Sequence, residues 1–303
     1  MKTKLFILWV ATFFIAVMVR AQDTNREAEM INILKNLKYQ QGTINLRDGL
    51  ATLNVPNDFN YLGPDDAENV LVKLWGNPPS AQKPLGLLIP AGMTPASSNA
   101  WVVTIEYSED GYVKDTDAST INYDKELKQM QQAISDNNKA RQDQGYQPIT
   151  LVGWAEPPHY DAATHKLYWA KDLKFGDDTE DTLNYCIRIL GRRGVLELDA
   201  VSALGQLDQI NQQTPEILGM VDFKEGNRYA DFDPKVDKVA KYGIAALVAG
   251  GVLGAAAKFG LLKVLWVGIL AAKKFVIIGV VAVIAFIKKL FKGRNSGGAT
   301  PGT

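Results

Sequence analysis

"TLNYCIRILGRRGVLELDAV", residues 182–201, reads as two strands joined by a tight turn. Leu183, Tyr185, Ile187 and Ile189 recur at every second position, the spacing that puts side chains on one face of a strand. Gly191-Arg192-Arg193-Gly194 supplies the turn, and Val195 to Val201 returns. Toward the N-terminus, "LVGWAEPPHYDAATHKLYWAKDL", residues 151–173, reads as a second such pair. Leu151 to Glu156 is a strand, Pro157 to Thr164 a loop, and His165 to Lys171 the returning strand, with Asp161 opening the turn through an Asx-type hydrogen bond. Four antiparallel strands in succession make a sheet, and Ser202 to Gln213 covers it as a helix. Thr214-Pro215-Glu216 begins a separate short helical turn. The fold class that follows is α+β, a mainly antiparallel sheet covered by helices.

Further out, Thr24 and Glu27 form a capping box ahead of Met30, Ile33, Leu34 and Leu37, a helical stripe. "GTINLRDGLATLNVP" gives two short strands around Arg47-Asp48-Gly49. Gly63-Pro64-Asp65 opens a helix that Gly76 closes. "LGLLIP", apolar throughout, reads as a central strand, and "WVVTIEY" alternates. Asn122 to Gln144 is a long polar helix whose narrow stripe of Leu127, Met130 and Ile134 fits a place on the sheet surface, with a docking role as the other option. "MVDFKEGNRYADF" supplies a last strand and turn.

The ends carry a different message. Lys2 and Lys4 precede an apolar run from Leu5 to Val19, and Val19-Arg20-Ala21 offers a cleavage site, so residues 1–21 read as a secretory signal. Residues 242–294 contain no acid. Within them Tyr242 to Leu262 is interrupted only by Lys258 and reads as a membrane span with a small-residue face of Gly250, Gly251 and Gly254. The segment 264–287 is long enough to cross but holds Lys273 and Lys274 centrally, at about 2.5–3.5 kcal/mol each on insertion scales. One span followed by an amphipathic membrane-bound helix is preferred, because a single crossing leaves the basic "KKLFKGR" inside; a two-span hairpin is the alternative. The expected organisation is therefore a signal peptide at 1–21, an extracytoplasmic domain at 22–240, a membrane anchor at 241–292 and a flexible tail at 293–303.

Charge sorts with that division. The chain is formally neutral, with 33 basic and 33 acidic residues, but all 33 acids and only 21 of the basic residues fall in 22–240. An acidic domain repels nucleic acid. A lone cysteine, Cys186, excludes an intramolecular disulfide framework and reads as a packed thiol inside a strand.

For chemistry, the 151–173 hairpin is the place to look. His159 and His165 are the chain's two histidines, six positions apart, and with Glu156 and Asp161 they could offer ligands to a zinc ion or an acid–base pair. The spacing matches no established metal signature, and nucleophile-elbow, phosphate-loop and C-x-x-C motifs are absent. Trp154, Tyr160, Tyr168 and Trp169 could stack on a sugar or peptide or simply pair across strands. Trp154, Glu156, His159, Tyr160, Asp161, His165 and Trp169 together form the candidate binding surface; no cofactor and no metal are expected.

"GWAEPPHYDAATHKLYWAKDL", with "NVPNDFNYL", "LWGNPP" and "RYADFDPKVDKVAKYGIAALVAGG", resembles a family of uncharacterised bacterial membrane-anchored proteins, domain of unknown function 2167, over residues 40–290. The resemblance implies an envelope protein with an exported domain and a C-terminal anchor, and brings no catalytic residues. The expectation is an inner-membrane protein with its domain on the extracytoplasmic side, acting as a binding or assembly module. Its tail would contact lipid, an envelope protein is a possible partner, and nucleic acid is excluded. The alternative is an envelope hydrolase or metal-dependent enzyme whose hairpin side chains converge in one cleft.

Overall fold

The period-two pattern of residues 182–201 does form the middle of a sheet, and more strands join it than the pattern announced. A computed structural model describes residues 28–77, 82–97, 99–143 and 145–249. The signal peptide, the Thr24 capping box and nearly all of the anchor lie outside these residues. The chain divides into two units at Lys38. The first contributes a helix, α1, over residues 28–36.

The second unit opens with four strands, β1 (Tyr39–Gln40), β2 (Gly42–Leu46), β3 (Ala51–Val55) and β4 (Phe59–Leu62). A short helix α2 (Pro64–Glu68) follows, continued by a π-type turn, then β5 (Gly86–Pro90), β6 (Val102–Ser108) and β7 (Tyr112–Lys114). Helix α3 (Tyr123–Asp143) leads into the meander β8 (Ile149–Asp161), β9 (Lys166–Phe175), β10 (Thr182–Leu190) and β11 (Val195–Ala203). Helix α4 (Leu207–Met220), β12 (Val221–Phe223), β13 (Val239–Gly243) and α5 (Ile244–Val248) complete it. The main sheet has eight strands in the order β1-β4-β5-β6-β11-β10-β9-β8, antiparallel throughout. A three-stranded sheet, β12-β3-β2, and a parallel pair, β13-β7, lie apart from it.

One face of the central strands presents Val103, Ile105, Leu183, Tyr185, Ile187, Leu196 and Leu198, packed against Ile210 and Ile217 of α4 and Leu53 and Val221 of the small sheet. The other face presents Leu167, Trp169, Cys186 and Val195 to β7, β13 and α5, through Val113, Ala240, Ile244 and Val248. Both faces are covered, so β10 and β11 are buried along almost their whole length. Close approach dictates Gly194 at the β10–β11 turn, since a Cβ there would lie 2.0 Å from the Ser108 carbonyl oxygen on β6.

Several expectations change. β8 continues through Pro157 and Pro158 to Asp161, where a loop was expected. The prolines are tolerated because β8 is the edge strand and its pairing with β9 slips across them, between Glu156 and His159. Helix α4 starts at Leu207, not Ser202, and runs through Pro215 as one helix instead of restarting at Thr214. The Thr214 hydroxyl donates to the Ile210 carbonyl at 2.9 Å inside that continuous helix. Tyr242 and Gly243, placed at the head of a membrane span by the sequence, belong to β13, and Ile244 to Val248 form a helix packed in the domain core. The packed chain therefore passes the expected boundary at residue 240. Among the described residues no helix is long and apolar enough to cross a membrane.

The polar helix α3 fits its position. Its Met130 and Ile134 are buried, while its amide side chains bond the backbone of the edge strand. Asn138 accepts from the Ile149 N–H at 2.8 Å and donates to the Ile149 carbonyl at 2.9 Å, as a neighbouring strand would. Gln131 donates to the Leu151 carbonyl at 3.1 Å. The exposed edge of β8 is thereby closed over its first half.

Candidate functional site

Alternation along the β8–β9 hairpin decides where each candidate side chain goes. Tyr160 is in register with Leu167 and His159 with Tyr168, so the neighbours 159 and 160 face opposite ways. Tyr160, Trp154 and Trp169 lie on the α5 side. Glu156 pairs with Ala170 and His159 with Tyr168, both on the α4 side, and the His159 and Tyr168 rings sit 5.0 Å apart. Asp161 is turned to the hairpin tip, where its carboxylate accepts from the Ala163 N–H at 2.9 Å and the Thr164 hydroxyl at 2.7 Å. That is the expected Asx-type turn, and these bonds, Thr164's first, hold the carboxyl below its ordinary range. The seven residues do not converge in one cleft, and His159 and His165 are on opposite sides of the sheet. Among the described residues no group of three His, Cys, Asp or Glu side chains is placed to hold a metal ion.

His165 takes a left-handed conformation, φ +54°, at the end of the tip. This turns its ring onto Tyr229, centroids 4.1 Å apart, and its Nδ1 to 3.1 Å from the Tyr160 hydroxyl. Tyr160 donates to Asp115 at 2.7 Å, leaving its oxygen to accept from His165, so the ring proton belongs on Nδ1. Tyr112 stacks between Tyr229 and Phe232, at 4.4 and 3.9 Å. Burial works to raise the Asp115 carboxyl; hydrogen bonding, Tyr160's first, outweighs it and holds the group below the ordinary carboxylate value. Burial, then the bond to Asp115, pushes the Tyr160 hydroxyl far up. The cluster is a neutral-phenol, ionised-carboxylate bracket joining the hairpin tip to the loop after β7 and the 229–231 turn.

A second polar group lies on the same side of the sheet, outside the residues singled out from the sequence. Cross-strand rungs place Trp169, Cys186, Asp199 and Thr104 in one row and Leu167, Arg188, Glu197 and Glu106 in the next. Arg188 donates to Asp199 through both terminal nitrogens, at 3.1–3.3 Å, approaches Glu197 at 3.7 Å, and lies 5.1 Å from the Trp169 ring centroid. Lys171, Arg188, Glu197 and Asp199 are all buried. Burial opposes the charge on Asp199, but Arg188 and then Lys171 hold its carboxyl below the ordinary value. Burial pushes the Cys186 thiol up to about 12. Cys186 is thus the packed, protonated thiol the sequence implied. The charges in "YCIRIL" and "VLELDAV" alternate with the apolar residues; that spacing was the available signal, but it reads equally as a solvated face.

A family model for a protein of unknown function (DUF2167) matches residues 38–284. The chain belongs to this family. The match takes in every strand of the DUF2167 domain described here and both polar clusters. No curated protein matches the chain. Among solved structures, the solution structure of cyanobacterial PsbP (CyanoP) from Synechocystis has 8% identity and a TM-score of 0.34, covering 62% of this chain and 92% of its own. A mutant of the protein Mog1 has 9% identity and a TM-score of 0.32, covering 62% of this chain and 96% of its own.

Proposed function

We propose that this DUF2167 protein is a membrane-anchored envelope protein whose acidic domain is a binding or assembly module, with lipid holding the C-terminal tail and the domain on the extracytoplasmic side. One observation carries the non-enzymatic part. The hairpin groups fit for acid–base or ligand chemistry are divided between two faces, and Tyr160, His165 and Asp115 are consumed in bonding one another. What remains for a partner is the α4-side strip of the edge strand, where His159 is exposed and Glu156 carries a buried carboxylate oxygen with no hydrogen-bond partner. The acid-free sequence from 242 to 294 and the apolar, basic-headed N-terminus support the placement.

A photo-crosslinking residue at 159 in the full chain, expressed in its native membranes, tests the binding role. Discrete adducts that Glu156→Ala weakens several-fold support it, with Tyr160→Phe leaving them unchanged. Adducts indifferent to Glu156 would contradict it. Alkaline carbonate extraction tests the anchor separately: the chain stays with the membranes, and its release would refute the lipid-held tail.

A further inference from the structure

The segment 234–241, which joins the 229–231 turn to β13, reverses the charge of the domain it belongs to. Pro234, Lys235, Val236, Lys238, Val239 and Lys241 are all exposed. Val236 is 72% exposed and Val239 38%, two of the four large apolar side chains exposed in the described residues. Asp237, the segment's one acid, is turned inward. It accepts from Arg192 Nε at 2.6 Å and from the Asp233 N–H at 2.7 Å, with Arg193 at 3.7 Å. That inward turn leaves the segment's own exposed side with three lysines interleaved with two valines. The rest of the segment is fixed from behind. Tyr242 donates to Asp110 at 2.6 Å, Tyr112 N–H donates to the Lys238 carbonyl at 2.8 Å, and Asp117 accepts from the Ile244 and Ala245 N–H groups at 3.0 and 3.1 Å.

An acidic domain that removes the only acid from one exposed strip, and there shows lysines beside bare valines, presents a surface matched to an apolar layer with negative headgroups. The strip is also continuous in sequence with the acid-free, lysine-bearing 242–294. We infer that residues 234–241 rest on the anionic phospholipid headgroups of the bilayer, so that the domain is seated against the membrane instead of held away from it. This deepens the proposed function and rests on its anchor: the valines enter the interfacial layer, and the lysines pair with phosphates around them.

The test uses the full chain, reconstituted into vesicles of phosphatidylcholine alone or mixed with phosphatidylglycerol, with a bimane fluorophore on Val236→Cys. Cys186, buried, stays unlabelled, and a second chain labelled at Val152→Cys gives the baseline. Lipids carrying a headgroup nitroxide act as quenchers. Flotation with both vesicle types, and quenching at 236 several-fold stronger on the phosphatidylglycerol vesicles, is the expected result. Replacing Lys235, Lys238 and Lys241 with Gln abolishes that difference while flotation persists. Equal quenching on both vesicle types, or no effect of the lysine replacements, overturns the inference and leaves the anchor standing. Failure to float removes the anchor itself, and the inference with it.

Discussion

Arg188 and Asp199 show what a buried charge demands. Each is surrounded by sheet, so removing one leaves the other buried without its main counter-charge, with only Lys171 beside Asp199 or Glu197 beside Arg188, at about 3–5 kcal/mol. Arg188→Met is therefore expected to lower the unfolding free energy read from urea titration by that order, whereas Arg188→Met with Asp199→Leu recovers most of the loss; a double variant no better than the single one contradicts the pairing. Acid acts on the same group. Asp199 and Asp115 sit below the ordinary carboxylate value of 3.8 when folded, so their contribution is complete above it and disappears as pH falls through the depressed values. Asp172, raised by burial, works in the opposite sense and softens the profile. Denaturant titrations at stepped pH should show stability falling below 3.8, with a shallower fall in the Arg188/Asp199 double variant. Cys186 offers a simpler check. Burial and a thiol raised to about 12 make it inert to a thiol reagent until urea unfolds the chain, so rapid labelling of the native protein would contradict its place in β10.

At the scale of elements, the meander was legible because its apolar residues repeat at every second position over nine-residue strands, and β8 to β11 came out in the expected order. The period says which side chains share a face; it does not say whether that face is covered. The cover over Arg188 and Asp199 comes from β7, β13 and α5, elements of three to five residues whose patterns are too short to register. The hairpin side chains were picked from their composition, and their division between faces needed the register. Helix α3 was read at nearly its true length, while its task, bonding an edge strand, was invisible because the polar residues that do it resemble a solvated face. Asn138→Ala removes both bonds to Ile149, and a loss of about 1–3 kcal/mol is expected, with faster amide exchange at Ile149. Gly194→Ala drives a methyl into the Ser108 carbonyl and is expected to cost about 1–3 kcal/mol or to open the β6–β11 pairing, read as a lower melting temperature.

Over the whole molecule, charge and packing point in one direction. The acids are confined to residues 22–240, the 242–294 stretch has none, and the folded domain runs on through β13 and α5 up to the point where the apolar, basic stretch takes over. Asp117 ties the start of α5 to the loop after β7, and Asp115, two residues earlier, ties that loop to the hairpin tip, so one short loop braces both. Protease added to intact spheroplasts expressing the full chain, followed by detection of the tail, tests the placement most directly. Loss of the acidic domain with a tail fragment kept in the membrane is the expected result; a chain that survives whole until detergent is added would contradict it.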